Sequence, residues 1–281
     1  MDGLRRVLVG DVPTLVAVRG ESLHPVGASL AELLAAGRDR LAAALAAAYE
    51  SEALGSAPSG KLAPVDEQEV WASGVTYRRS ARARTEESAT PDVYELVYEA
   101  QRPELFLKAT PRRVPRPGAP LRIRADSEWD VPEPELALVL DSAGAIVGFL
   151  VADDVSSRSI EGANPLYLPQ AKIYDDSLGL SDTIALAGDD LGPARRAAIR
   201  LRVSRDGESV FAGETSAAEM RRSFEELAEA LFCELSHPAG AVLLTGTGIV
   251  PPDEFTLRHG DEVEIEIDGI GALRHGIYRK G

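Results

Sequence analysis

SEWDVPEPELALVLDSAGAIVGFLVADDVSSRS, residues 127–159, is the stretch on which the reading of this chain turns. Its middle, Asp141-Ser142-Ala143-Gly144, is a turn signal between two apolar runs, 136–140 (LALVL) and 145–152 (AIVGFLVA). That pattern predicts a hairpin. Glu133 and Glu135 stand two apart just before the first run. On an extended segment, residues i and i+2 point to the same face. Two carboxylates placed this way raise each other's pKa, and they need solvent or a cation between them. With the turn centred near Ala143, pairing sets Glu133 roughly opposite Asp153 or Asp154. Three acidic groups then meet at the open end of one hairpin. Ligation by oxygen alone suits a hard cation, Mg²⁺, Mn²⁺ or Ca²⁺. The spacing by itself also fits a solvated acidic strand end.

Working outward, the flanks read mostly as short strands. Residues 5–19 form two strands around Gly10-Asp11, and Asp206-Gly207 joins 199–205 to 209–213 as a second hairpin. Leu105 to Leu107 is a strand ending at Lys108, and 111–120 (PRRVPRPGAP) is a proline-rich loop. Residues 242–244 are a buried strand, and 263–268 alternate as a half-exposed one. Two capping boxes open helices, Ser29 with Glu32 for a run to about Tyr49, and Ser216 with Glu219 for a run to about Leu231. SEALGSAPSGKLAP (51–64) has the composition of a linker. The expected organisation is a small N-terminal α+β unit, 1–62, and a β-rich α+β catalytic domain, 65–281.

The chain has 281 residues and a net charge of −15. That surface makes nucleic acid and anionic lipid poor partners. A local cation or lysine can still draw in a small anion. Cys233 is the one cysteine, so no intrachain disulfide can form; this usage fits the cytoplasm. No signal peptide and no apolar run long enough to span a membrane is read. The four histidines show no metal-ligand spacing; His259 and Glu262 form H-x-x-E ahead of a strand, which we read as chance.

Five blocks taken together resemble the fumarylacetoacetate hydrolase family, and its sugar-acid dehydratase branch most. They are PELFLK (103–108), PEPELALVL (132–140), GFLVADDVSSR (148–158), NPLYLPQAKIYD (164–175) and TGTGIVPP (245–252), in the family's order. The resemblance covers about residues 70–281 and implies a β-roll-like catalytic domain in a homodimer or homotetramer. It puts metal ligands at Glu133, Glu135 and Asp154, with Asp153 in a place usually held by Asn. It puts the active-site lysine at Lys172 and a contact to the substrate carboxylate at Thr247, in the turn with Gly246. Glu104 and Lys108 match the acid and base around the family's apolar strand. Ser159 stands where the family has Asp, which puts the bracing of Arg158 in question. The hydrolase branch carries a His-Glu pair on a lid; the matching segment here, TYRRSARARTEES (76–88), has no histidine, and its Arg82 and Arg84 are lid candidates for clamping substrate.

The expected chemistry follows. A 2-keto acid chelates the cation, which acts as a Lewis acid and makes the C3 protons acidic. Glu104 is the candidate base, and Lys172 stabilises developing charge or protonates the leaving hydroxyl. The expected function is Mg²⁺-dependent dehydration of a 2-keto-3-deoxy-arabinonate type acid to 2,5-dioxopentanoate. The alternative is hydrolysis, isomerisation or decarboxylation of an acylpyruvate-type 2-keto acid. A non-catalytic binding module is the third possibility.

Overall fold

The computed structural model describes residues 2–87 and 92–280. In chain order the strands are β1 (Gly3–Val9), β2 (Val12–Arg19), β3 (Ser22–Pro25), β4 (Gly60–Lys61), β5 (Glu69–Ala72), β6 (Phe106–Ala109), β7 (Leu121–Ile123), β8 (Asp130–Val131) and β9 (Pro134–Leu140). They continue as β10 (Ile146–Asp154), β11 (Ser156–Ser157), β12 (Leu178–Leu180), β13 (Thr183–Leu186), β14 (Ala198–Arg205), β15 (Glu208–Ser216), β16 (Ala241–Leu244), β17 (Glu262–Ile267) and β18 (Gly271–Arg279). The helices are α1 (Leu30–Ala36), α2 (Arg38–Glu50), α3 (Arg78–Glu87), α4 (Asp92–Glu99), α5 (Arg158–Ala163), α6 (Leu168–Lys172), α7 (Gly192–Arg195) and α8 (Phe224–Phe232).

One sheet of eleven strands runs β3-β2-β1-β13-β10-β9-β16-β5-β6, with β12 also on β10 and β4 on β1. A second runs β15-β14-β17-β18-β7, and β8 pairs with β11. The expected β9–β10 hairpin lies in the middle of the large sheet. Both strands are buried along their whole length. They read as unbroken apolar runs because both faces are covered. Leu136, Leu138, Leu140 and Val151 face a core shared with Ile199, Leu201, Ile265 and Leu273 of the smaller sheet. Ala137, Val139, Leu150 and Ala152 face a second core, shared with Leu30, Leu34, Leu41 and Leu45 of α1 and α2. This is the mixed, strand-rich α+β architecture expected.

The hairpin turn also ties the helices down. Asp141 Oδ1 accepts the N–H groups of Ala143 and Ala145 at 2.9 Å each. Its Oδ2 accepts the N–H of Arg38 at 3.1 Å, which satisfies one of the unpaired donors at the start of α2. The expected helix from Leu30 is therefore two helices. Gly37, at φ +84°, breaks it, and Asp141 caps the second piece. The Ser29–Glu32 capping box is present.

A further expectation needs correction. Ser216 caps only a 3-10 turn, Ala217–Glu219, while the helix to Phe232 starts at Phe224 under a different box, Ser223 with Glu226. Met220 bridges to Tyr77, and the Arg221 N–H donates to the Thr76 carbonyl at 2.9 Å, so the chain is drawn extended between the two. The segment 76–88, to which the sequence reading assigned no element, carries α3, and α4 follows it. Ser88 lies outside the described residues. No helix among the described residues is long and apolar enough to cross a membrane. The N-terminal unit expected over 1–62 supplies β1–β4, α1 and α2, and its strands enter the large sheet through β1 on β13.

Candidate metal centre and the cavity around it

The hairpin's open end gathers the three carboxylates. Glu133 sits between β8 and β9, Glu135 lies on β9, and Asp154 ends β10. The Asp154 N–H donates to the Glu133 carbonyl at 3.0 Å, one of the two pairings expected from the turn. One carboxylate oxygen from each of Glu133, Glu135 and Asp154 lies within 4.8 Å of the others, and all three residues are buried. Burial removes the solvated strand end as a reading.

Cations hold the cluster from behind. Lys172, at the end of α6, places Nζ 2.5 Å from Glu133, 3.1 Å from Asp154 and 2.6 Å from Ser156 Oγ. Lys108, on β6, places Nζ 2.5 Å from Asp154 and donates to the Lys172 carbonyl at 2.6 Å. Arg84 reaches Glu133 at 2.6 Å and Glu161 at 3.1 Å. Arg158 reaches Glu133 and Glu161 at 2.8 Å each.

The two glutamates of the pair therefore differ. Burial opposes ionisation of Glu133, but Lys172, Arg158 and Arg84 outweigh it and hold its carboxyl well below the usual range. Glu135 is pushed well above it, by burial first and then by Asp154 and Glu133. Its carboxylate accepts the Gly246 N–H at 2.5 Å. Lys172 is raised: burial disfavours its charge, but Asp154, Glu133 and Glu161 more than offset this. Burial lowers Lys108. Glu104 is pushed up to about 7, by burial and then by Glu161.

The cavity these groups enclose measures about 20 Å³, room for one water-sized body. Glu104, Glu133, Glu135, Asp154, Lys172, Gly246 and Thr247 line it, so seven of the expected site residues come together. Lys108 stands behind Asp154 and not on the wall. Arg82 is not brought in: it is exposed and pairs with Glu86 at 3.2 Å. The segment is a helix, where positions two apart point to nearly opposite sides. Arg84 and Ser80, one turn apart, therefore face the cavity in its place. Glu161 is a wall residue that the sequence reading missed; its i+3 spacing from Arg158 on α5 was the available signal. Ser159 bonds Ser127 at 2.9 Å, and Arg158 keeps its brace through Glu161. Asp153 turns away from the cluster. It accepts the Glu133 N–H on one oxygen and meets His275 Nε2 at 2.9 Å with the other.

The donor set fits a divalent cation. Oxygen atoms alone, from three carboxylates, suit a hard ion, and the raised Glu135 marks an acidic excess that such an ion would relieve. Five carboxyl groups meet four cationic side chains here, so a divalent cation and a monoanionic ligand together bring the cluster to neutrality. Such chemistry belongs to enzymes that use a cation as a Lewis acid on a small anion.

Comparison with known proteins gives the family. The chain belongs to the fumarylacetoacetate hydrolase family, whose model "Fumarylacetoacetate (FAA) hydrolase C-terminal" matches residues 69–278. It is 49% identical over 214 residues to a probable 2-keto-3-deoxyxylonate dehydratase of Haloferax volcanii, covering 76% of this chain and 73% of that one. It is 42% identical to a 2-dehydro-3-deoxy-D-arabinonate dehydratase of Saccharolobus solfataricus, covering 75% and 72%. A solved 2-keto-3-deoxy-D-arabinonate dehydratase complexed with magnesium and 2,5-dioxopentanoate superposes at a TM-score of 0.79, with 32% identity over 100% of this chain and 99% of that one.

Proposed function

We propose that this chain is a Mg²⁺-dependent dehydratase of a 2-keto-3-deoxy sugar acid of the arabinonate type, giving 2,5-dioxopentanoate. One observation carries the reading. The cavity wall sets a buried carboxylate triad beside an ammonium, Lys172, and a carboxyl near neutral pKa, Glu104. Those are the parts a β-elimination needs, and the relatives above are dehydratases by name.

Glu133, Glu135 and Asp154 would hold the cation. When bound, it supplies Lewis acidity to the carboxylate and keto oxygens of the substrate and so acidifies C3. Glu104 takes a proton from C3; its raised pKa makes it a stronger base than an exposed glutamate. Lys172 carries positive charge beside the oxygens and can protonate the departing C4 hydroxyl. Loss of one water and a tautomeric shift leave the aldehyde at C5. Thr247 and the Gly246 turn line the same cavity, and we assign them the contact with the substrate carboxylate. The histidine-free face of α3 offers Ser80 and Arg84 to the cavity and no imidazole for activating water, which sets the acylpyruvate hydrolysis reading behind dehydration. The family resemblance adds a homodimer or homotetramer, which light scattering checks.

The test is a product assay on purified protein with Mg²⁺, with and without EDTA, on 2-keto-3-deoxy-arabinonate and on acetylpyruvate. A mass loss of one water that EDTA abolishes is the expected result. Release of acetate and pyruvate from acetylpyruvate would replace dehydration with hydrolysis.

A further inference from the structure

Buried hydroxyls around the cavity are almost all spoken for. Ser80 Oγ donates to the Tyr77 carbonyl at 2.8 Å, Ser156 Oγ to the Asp154 carbonyl at 2.7 Å, and Thr76 Oγ1 to the Thr245 carbonyl at 2.6 Å. Thr247 Oγ1 accepts the Ile249 N–H at 3.2 Å. Ser73 is the exception on the cavity wall. The residue is 1% exposed, and its Oγ has no hydrogen-bond partner among the described residues. Tyr77 also keeps an unpartnered hydroxyl, but it does not line the cavity. A hydroxyl taken from water and left unpaired costs free energy, so an orphan on a residue that lines a cavity is a candidate for a contact that a ligand or a water completes.

The backbone fixes where that contact falls. Ser73 follows β5, and its N–H donates to the Leu244 carbonyl at 2.9 Å, which extends the parallel pairing of β5 with β16 by one step. The next residue is Gly74, where a Cβ would lie 2.1 Å from Glu104 Oε2. The absence of a side chain at 74 lets Glu104 press against this segment, so Ser73 stands beside the group that addresses C3. On the proposed function, carbons 1 and 2 of the substrate would meet the cation and the 246–247 turn, which leaves the hydroxylated end of the chain for the wall around Glu104 and Ser73.

We infer that Ser73 is a substrate-contacting specificity residue whose hydroxyl bonds a hydroxyl oxygen of the sugar-acid chain beyond its keto-acid head. The inference rests on the proposed function, because an acylpyruvate has no such hydroxyl. It separates two ligand classes. A hydroxylated 2-keto acid needs Ser73, whereas a bare chelator such as oxalate does not.

The experiment measures binding by calorimetry on Mg²⁺-loaded protein in which Lys172→Ala blocks turnover, with and without Ser73→Ala. Ligands are 2-keto-3-deoxy-arabinonate and oxalate. Loss of the hydroxyl weakens the sugar acid about tenfold and leaves oxalate within about twofold. Ser73→Thr, which keeps a hydroxyl, restores part of the loss. Equal weakening of both ligands, or of neither, overturns the inference, as does a sugar acid that fails to bind at all. Turnover by the wild type is followed alongside. Turnover without dependence on Ser73 sinks the inference and keeps the dehydratase reading. Ser73-dependent binding without turnover does the reverse.

Discussion

At the scale of single residues, the two glutamates of E-x-E divide the work, and their environments say how. Glu133 is ionised by three cations, whereas Glu135 is pushed toward its neutral form. Glu135→Gln copies a neutral acid and can still accept the Gly246 N–H. It is therefore expected to leave the stability of the metal-free protein nearly unchanged while cutting Mg²⁺ affinity at least tenfold. Glu133→Gln leaves Lys172, Arg84 and Arg158 without their shared anion, and costs about 3–5 kcal/mol of stability as well as the metal. Denaturant unfolding with EDTA and Mg²⁺ titration measure the two effects, and equal destabilisation by both variants would refute the asymmetry. Glu104 gives a pH signature. As a base it works ionised, so activity falls as pH drops through its pKa, about 7 in the metal-free site and lower beside a bound cation. The folding sign is opposite. An acid whose folded pKa is raised stabilises the fold below its unfolded pKa, near 4.5, and that contribution is lost as pH rises to about 7. Glu104→Gln should remove both the acidic limb of the rate profile and the stability slope in EDTA; a limb that survives belongs to another group. The carboxylate cluster was legible in part because a hairpin with a defined turn sets Glu133 opposite Asp153 or Asp154; the choice of Asp154 came from the family resemblance. Ser73 and the Asp153–His275 contact were not legible, because they come from elements far apart in sequence, whose meeting depends on sheet order; Glu161 was missed although its i+3 spacing from Arg158 was a local signal.

At the scale of elements, the readable parts were those whose cause is local. The turn at Asp141–Gly144, the Asp206-Gly207 hairpin and the Ser29 capping box each hold their signal within a few residues. The break at Gly37 was missed because its second half, the Asp141 carboxylate on the Arg38 N–H, comes from a strand turn 103 positions away. The helix α3 was missed because its sequence, RRSARARTEE, has little apolar periodicity to report. It packs through a small satellite group, with Val75, Ala81, Tyr94 and Tyr98 as its buried members. That slight packing has a use. The cavity holds about 20 Å³, while a bound five-carbon acid calls for several times that, and ligand pockets run from roughly 300 Å³ upward. Arg84, from α3, closes one side by reaching Glu133 and Glu161. We expect α3 to yield when substrate enters, because weakly packed elements open at low cost. Amide exchange in α3 and α4 should be faster than in β9 and β10, and Mg²⁺ with product should slow it. Exchange in α3 as slow as in the central hairpin would mean that the cavity widens elsewhere.

At the scale of the whole molecule, composition and topology point in different directions. The linker-like stretch 51–64 suggests that residues 1–62 form a unit of their own. Hydrogen bonding carries them into the main sheet instead: β1 pairs with β13 from Gly3↔Ala185 to Arg5↔Thr183, and β4 returns to pair with β1. The packing is shared too. Leu4, Leu30, Leu33, Leu34, Leu41 and Leu45 lie in one core with Ala137, Val139, Leu150 and Val242. Burying a leucine side chain contributes about 2 kcal/mol. Six of them therefore amount to as much as the whole net stability of an ordinary domain, about 5–15 kcal/mol. We therefore expect that neither part keeps that core without the other. The metal centre would feel the loss, because β10, which carries Asp154, packs Leu150 and Ala152 into the same core and pairs with β13 at Phe149↔Ala185. We expect a single calorimetric transition for the full chain, with calorimetric and van't Hoff enthalpies in agreement. Deleting residues 1–62 should yield a protein without cooperative unfolding and without Mg²⁺ binding. Two resolved transitions, or a truncated chain that still binds Mg²⁺, would instead establish the N-terminal segment as an independent unit that merely docks on the sheet.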